Sequence, residues 1–179
     1  MRVVVIGCSG SGKTTFARAL AARLAERFDD CPHVELDELF WGPQWRPKPP
    51  EQFKALAAHA GAGERWVIDG NYKAVRNVVW ARATHIVWLD LSLPRVMWQV
   101  GWRTWWRATS GQTLWHGNRE SWRKALFSRE SIVLWALTTH GRKRREFAAL
   151  RAAADSGAPH WIVLRQRGDV AAAVDELAR

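Results

Sequence analysis

Residues 7–15 read Gly7-Cys8-Ser9-Gly10-Ser11-Gly12-Lys13-Thr14-Thr15, a complete instance of the spacing G-x-x-x-x-G-K-[ST]. Each fixed position has a mechanical job. Gly7, Gly10 and Gly12 let the backbone curl until consecutive N–H groups point at one anion, with Ser9, Ser11 and Thr15 completing the cradle. Lys13 reaches the outer phosphates, and the Thr14 hydroxyl ligates the magnesium that travels with a nucleotide. The flanks agree with this. Arg2-Val3-Val4-Val5-Ile6 is a β-branched run suited to a buried parallel strand, and Thr14 to Arg27 has helical spacing. Strand, loop and helix arrive in the required order, so the cradle lies at a helix N-terminus, where unpaired N–H groups favour negative charge. The stretch predicts a nucleoside triphosphate ligand, ATP with Mg2+, and an α/β protein of the P-loop NTPase class.

Outward from the loop, the same alternation continues. The patterning predicts strands at 2–6, 33–36, 66–69, 85–90 and 160–165. It predicts helices at 13–27, 50–60, 72–80, 94–108, 120–127, 129–153 and 169–178. Pro50 and Pro94 suit a first helical turn, and Asp169 suits the cap of the last helix. Short apolar strands alternating with helices imply a parallel sheet covered on both faces, with ligands gathered at the C-terminal ends of the strands.

The length of 179 residues fits one domain, 1–179, with a basic helical insertion at about 91–153. Cys8 and Cys31 are the only cysteines. They give neither a disulfide framework nor a metal-ligand set, which points to a reducing cytoplasm. No apolar run approaches the length of a membrane span, so no membrane partner is expected. Charge is uneven: residues 91–151 hold 12 Lys/Arg against 3 Asp/Glu, a net of +9 within a chain whose total is +10. Such a block neutralises phosphates, whether of a nucleotide or of a nucleic-acid backbone.

Three carboxylates stand at or just past predicted strand ends. Asp37 is the first choice for holding magnesium through water or for receiving the acceptor's proton; its alternative is a helix cap. Asp69 opens Asp69-Gly70-Asn71-Tyr72, where polar side chains converge near a flexible backbone; these residues and Arg76 are candidates for substrate contact, with a plain turn as the alternative. Asp90 reads as a cap for the helix near Pro94. The proline-rich loop Phe40 to Pro50 offers Trp41 and Trp45 for stacking on an acceptor, or is packed structure. Trp98, Trp102, Trp105 and Trp106 fall at i, i+4, i+7 and i+8 and share one helical face. That stripe reads first as core; a homodimer interface and a platform for bases are the other readings.

Taken together, the phosphate loop, Leu36-Asp37-Glu38-Leu39-Phe40-Trp41, Trp66-Val67-Ile68-Asp69-Gly70-Asn71-Tyr72 and Val87-Trp88-Leu89-Asp90-Leu91 resemble the small P-loop kinases known as adenylate-kinase-like or DNA topology modulation proteins. The resemblance implies a five-stranded parallel sheet in the order 2-3-1-4-5, with an arginine-bearing lid between strands four and five. It also implies that Asp37 and Asp69 to Tyr72 face an acceptor pocket while Lys13 and Thr14 hold ATP–Mg. The resulting expectation is an ATP-dependent phosphotransferase with Lys13 and Asp37 in catalytic roles and an unidentified small acceptor. Arg119 and Arg123, within a lid at 108–123, would close over the transferring group, and Arg165 and Arg167, at and just past the end of the last strand, join the nucleotide contacts. A nucleotide-switched DNA- or RNA-binding protein is the alternative.

Overall fold

A computed structural model describes residues 1–110, 132–154, 157 and 159–179 of the chain. Five strands, β1 (Arg2–Gly7), β2 (His33–Glu35), β3 (Trp66–Asp69), β4 (His85–Leu89) and β5 (His160–Leu164), form one sheet in the order β2-β3-β1-β4-β5. All four pairings are parallel. The expected order and the alternation of strand with helix are both present.

Strand periodicity divides the core into two. Successive side chains point to opposite faces of a sheet. Val3 and Val5 therefore join Val67, Val87 and Leu164 beneath α1 (Lys13–Phe28) and α7 (Arg167–Leu177). Val4 and Ile6 join Ile68, Ile86 and Trp88 on the other face. There they meet Phe53 of α3 (Pro50–Ala60), Val75 and Val79 of α4 (Lys73–Trp80), and Phe147 of α6 (Ile132–Ala152). Burial on both faces explains why these strands read as continuous apolar runs.

Several boundaries differ from expectation. Leu36 leaves the second strand and opens a short helix, α2 (Leu36–Phe40), which the apolar pattern did not reveal. Leu36 is buried against the far face, and periodicity over so few residues does not separate strand from helix. The last helix starts at Arg167. Asp169 does cap it, but from the third helical position, accepting the Gln166 N–H at 3.0 Å. The helix expected at 120–127 lies outside the described residues. Of the expected lid, Ala108 to Ser110 end helix α5 (Leu93–Ser110), and residues 111–123 lie outside the described residues.

Helix α5 is where the tryptophan stripe departs from its first reading. Val96 and Val100 form the buried face, packed with Leu91 and with Ala136 of α6. Trp98, Trp102, Trp105 and Trp106 are 65, 56, 55 and 56% exposed. They are not core, because α6 contacts the valine side of the helix.

Candidate active site

The phosphate loop closes β1 and opens α1. Gly10 and Gly12 hold φ of 81° and 89°, a left-handed backbone that glycine adopts without strain. A Cβ at Gly10 would also collide with the Val100 side chain, so α5 lies directly against the loop. Gly12 is the N-cap of α1 and offers no side-chain cap, and the first turn carries no acid. The helix's first N–H groups therefore have no side-chain acceptor, a geometry that suits a phosphate. Ser11 Oγ is buried within the loop without a hydrogen-bond partner, a second sign that the cradle is shaped for a group with acceptor oxygens. Lys13 rests on the loop itself, its Nζ donating to the Cys8 carbonyl at 3.2 Å.

The carboxylate that meets this loop is Asp69, not Asp37. Thr14 Oγ1 donates to Asp69 Oδ1 at 3.3 Å, across the register that places Val5 beside Asp69. Asp69 is buried, and its other oxygen lies 2.8 Å from His33 Nε2. His33 and Glu35 alternate onto the same side of β2, and Glu35 pairs with Asp69 in the register. Burial pushes the Glu35 carboxyl above its ordinary value, Asp69 adds to the rise, and His33 and Arg18 oppose it. His33 was not singled out in the sequence. One histidine beside a short strand carries no local signal, and only the β2–β3 pairing brings it to Asp69.

Asp37 instead pairs with Tyr72. Its Oδ1 accepts the Tyr72 hydroxyl at 2.6 Å. Burial, followed by the Asp37 charge and this hydrogen bond, pushes the Tyr72 hydroxyl well above its ordinary value, so it stays a donor. Tyr72 packs on Phe40 and Phe53, at centroid distances of 4.6 and 5.2 Å, which fixes the pair. Asn71 follows Asp69 and accepts from Arg76 at 3.5 Å.

The proline-rich loop is mainly packed structure. Trp41 packs edge-on to Phe40 and to Trp45, and bridges to Pro47. Lys48 donates to the carbonyls of Glu38, Leu39 and Trp41, so its charge holds the end of α2.

Helix α6 completes the rim. The Cys8 thiol lies 3.9 Å from the His140 carbonyl, and the buried His140 ring lies 2.9 Å from the Leu91 carbonyl. Burial pushes the Cys8 thiol above its ordinary value, which fits a small space-filling side chain rather than a reactive one. Further along α6, Glu146 collects Arg76 at 2.8 Å, Lys73 at 3.6 Å and Lys143 at 3.8 Å. Burial alone would raise the Glu146 carboxyl, but the Arg76 hydrogen bond and the surrounding cations overrule it and hold it below its ordinary value. Burial lowers Lys143, and Arg76 and Lys73 lower it further against the pull of Glu146.

Asp90 is a structural anchor here rather than a helix cap. It is buried and receives Arg144 Nε at 2.8 Å and Arg165 Nε at 3.4 Å. Arg165 thus stands by the strand ends, and Arg167 opens α7. Lys143 and Arg144 went unrecognised as site residues. The run Arg142-Lys143-Arg144-Arg145 was visible only as part of a basic block; Lys143 turns toward Glu146, while Arg144 stays half exposed as it reaches the buried Asp90 carboxylate. Arg119 and Arg123 lie outside the described residues.

Contacts therefore run in a circuit around the strand ends: Thr14 to Asp69, Asn71 to Arg76, Arg76 to Glu146, and α6 back to Cys8. Among the described residues no cluster of His, Cys, Asp and Glu forms a metal cage. Thr14 with Asp69 provides only one side of a coordination shell, which suits a hard cation that arrives with phosphate oxygens and water.

No family model matches the chain, and no curated protein matches it in sequence. Solved structures do. A sugar kinase from Janibacter sp. is 17% identical, with 98% of this chain and 91% of that one covered and a TM-score of 0.52. Kti12 from Chaetomium thermophilum, solved with ADP-AlF3, is 16% identical over 99% of this chain and 97% of that one, with a TM-score of 0.53. These likenesses establish the fold, a P-loop α/β fold with a five-stranded parallel sheet.

Proposed function

We propose that the protein is an ATP- and Mg2+-dependent phosphotransferase acting on a small acceptor. The observation that carries this reading is the adjacency of two groups of side chains at the C-terminal end of the sheet. Lys13, Thr14 and Asp69 form the first; Asp37, Asn71, Tyr72 and Arg76 form the second, reached along the turn after β3. A sugar kinase of similar fold, and a similar fold solved with ADP-AlF3, are consistent with it.

In this reading the loop N–H groups and Lys13 hold the outer phosphates. Thr14 would hold magnesium, with Asp69 behind it accepting from the hydroxyl or from metal-bound water. That role moves from Asp37 to Asp69 because Asp69 is the carboxylate within reach of Thr14. Magnesium, when bound, neutralises phosphate charge and orients the transferring group. Asp37, held by the Tyr72 hydroxyl, stands on the acceptor side, placed to take a proton from an acceptor hydroxyl. Lys143 and Arg144 supply positive charge from α6, and Arg119 and Arg123 remain the lid candidates. Positioning and charge neutralisation account for most of the acceleration in such transfers.

The test is an acceptor screen with ATP–Mg, followed by identification of the phosphorylated product. Lys13→Ala serves as control, with an expected loss of roughly 10²–10³-fold in turnover and an unchanged melting temperature. Near wild-type turnover in Lys13→Ala, or ATP consumption indifferent to every acceptor, overturns the reading.

A further inference from the structure

Lys73, Arg76 and Lys143 converge on a single carboxylate. Glu146 takes Arg76 Nη2 at 2.8 Å, Lys73 Nζ at 3.6 Å and Lys143 Nζ at 3.8 Å. Only the arginine is within hydrogen-bond distance. That pair alone is enough to fasten α4 to α6, so the two lysines bring mutual repulsion without adding a bond. The Lys143 and Arg76 side chains are only 17 and 19% exposed, and excess positive charge at such depth is costly unless an anion meets it.

The place of two of these cations on α4 raises that cost. Lys73 is the first residue of the helix and Arg76 closes its first turn; the turn holds no acid, and the Tyr72 side chain does not cap it. A helix N-terminus carries partial positive charge and disfavours cations. Arg76 is nevertheless held firmly. It lies over the Trp80 ring at 4.8 Å, and its bonds to Glu146 and Asn71 both go through Nη2. Among the described residues its Nε and Nη1 make no hydrogen bond, so a rigid planar fork has donors to spare.

The cluster lies between the two groups of side chains at the strand ends. Arg76 reaches Asn71, which precedes Tyr72 and its partner Asp37. On the other side, His140 presents its carbonyl to the Cys8 thiol of the phosphate loop, and Lys143 lies one helical turn further along α6. Lys143 is among the charges that oppose the burial-driven rise of that thiol.

We propose that Lys73, Arg76 and Lys143 bind a phosphate monoester carried by the acceptor, so that the acceptor is an already phosphorylated small molecule with a free hydroxyl. This rests on the phosphotransferase reading above and narrows its substrate. Three cations against one carboxylate leave a net of +2, which matches a phosphate monoester of roughly −2 charge better than a carboxylate. The arginine fork suits phosphate oxygens bidentately. Asp37 repels a second anion and accepts from a hydroxyl, which makes the hydroxyl the point of transfer. There the γ-phosphorus of ATP bonds to the hydroxyl oxygen as its bond to the bridging oxygen of the β-phosphate breaks. The hydroxyl proton passes to Asp37, and ADP leaves.

The test reads binding without turnover. The full chain is saturated with Mg2+ and the β,γ-imido analogue of ATP, which fills the phosphate loop without transferring, and is then titrated calorimetrically with methyl phosphate and with acetate. Methyl phosphate should bind at least about tenfold tighter than acetate and weaken as salt rises. Arg76→Gln should weaken it by about tenfold or more. Should that variant be destabilised, the exposed Lys73→Gln is read instead, with an expected loss of about threefold. Glu146→Gln removes the competing carboxylate and should tighten methyl phosphate by about threefold or more, a gain that a mere fastening of helices does not produce. Lys54→Gln, whose lysine pairs with Glu51 on α3, should leave binding unchanged. No binding of methyl phosphate to the filled protein, binding no tighter than acetate, or equal binding by wild type and the Arg76, Lys73 and Glu146 variants overturns the proposal and leaves the phosphotransferase reading standing. Transfer to neutral acceptors alone does the same. Failure of the ATP analogue to bind overturns both.

Discussion

The central sheet and helix α5 both carry tryptophan, and they treat it in opposite ways. Trp66 of β3 is fully buried, and its N–H donates to the Gly61 carbonyl at 3.1 Å, so the one polar atom of the ring is satisfied inside the protein. Trp88 of β4 is buried edge-on to Phe147 of α6. On α5 the four tryptophans are more than half exposed, with Trp98 stacked on Trp102 and Trp105 tilted against Trp102. A central strand is covered on both faces by crossover helices, whereas α5 packs against α6 through its Val96 and Val100 side. Helical spacing therefore says which residues share a face. It does not say that something covers the face.

The largest expected effect tests the buried side of that contrast. Trp66→Ala removes a fully enclosed ring and a satisfied N–H, and should cost about 3–5 kcal/mol in urea unfolding. A loss below about 1 kcal/mol would mean that the sheet collapses around the gap and the contrast with α5 is weak.

Next come the two carboxylates of the strand ends, which divide the site as the tryptophans divide the fold. Asp69→Asn should lower phosphoryl transfer by roughly 10²–10³-fold, because it faces Thr14. Asp37→Asn should act on the acceptor side, raising the acceptor KM or lowering turnover while leaving ADP–Mg affinity unchanged. A loss of ADP–Mg affinity in Asp37→Asn, with none in Asp69→Asn, would reverse the two roles.

His33→Ala should have a smaller effect, through Asp69. Residues that orient a metal-side carboxylate typically change metal affinity by about 10–100-fold. Calorimetry of ADP with and without magnesium should show the gain from magnesium reduced by about tenfold, with metal-free ADP binding unchanged. An unchanged gain would leave His33 as a packing residue only.

The smallest effect is expected on the exposed side. Trp102→Ala should change unfolding free energy by no more than about 0.5 kcal/mol, as surface substitutions commonly do. A cost comparable to that of Trp66→Ala would place the stripe in the core after all.

Much of the molecule was legible in the chain. The phosphate loop declared itself because its mechanics need particular residues at fixed spacing, and the five strands declared themselves through short apolar runs. The group Asp69 to Tyr72 was recognisable as a polar cluster at a strand end. The choice between Asp37 and Asp69 was not, since both follow strands and both are aspartates. Neither were the pairings of Lys143 with Glu146 and of Arg144 with Asp90, because a run of four bases looks the same whether it faces water or a carboxylate.

The sequence by itself determined the phosphate loop and the alternation of strand with helix, because both depend on local spacing: backbone curvature at glycines, a lysine one residue past them, periods of two and of 3.6. Only the tertiary structure decided which carboxylate faces Thr14, that His33 and Glu146 belong to the rim, and that the α5 tryptophans stand outside the core. Each of those depends on distance across the sheet or between helices, joining residues as far apart in the chain as Arg76 and Glu146. Periodicity along one element holds no information about what lies opposite it.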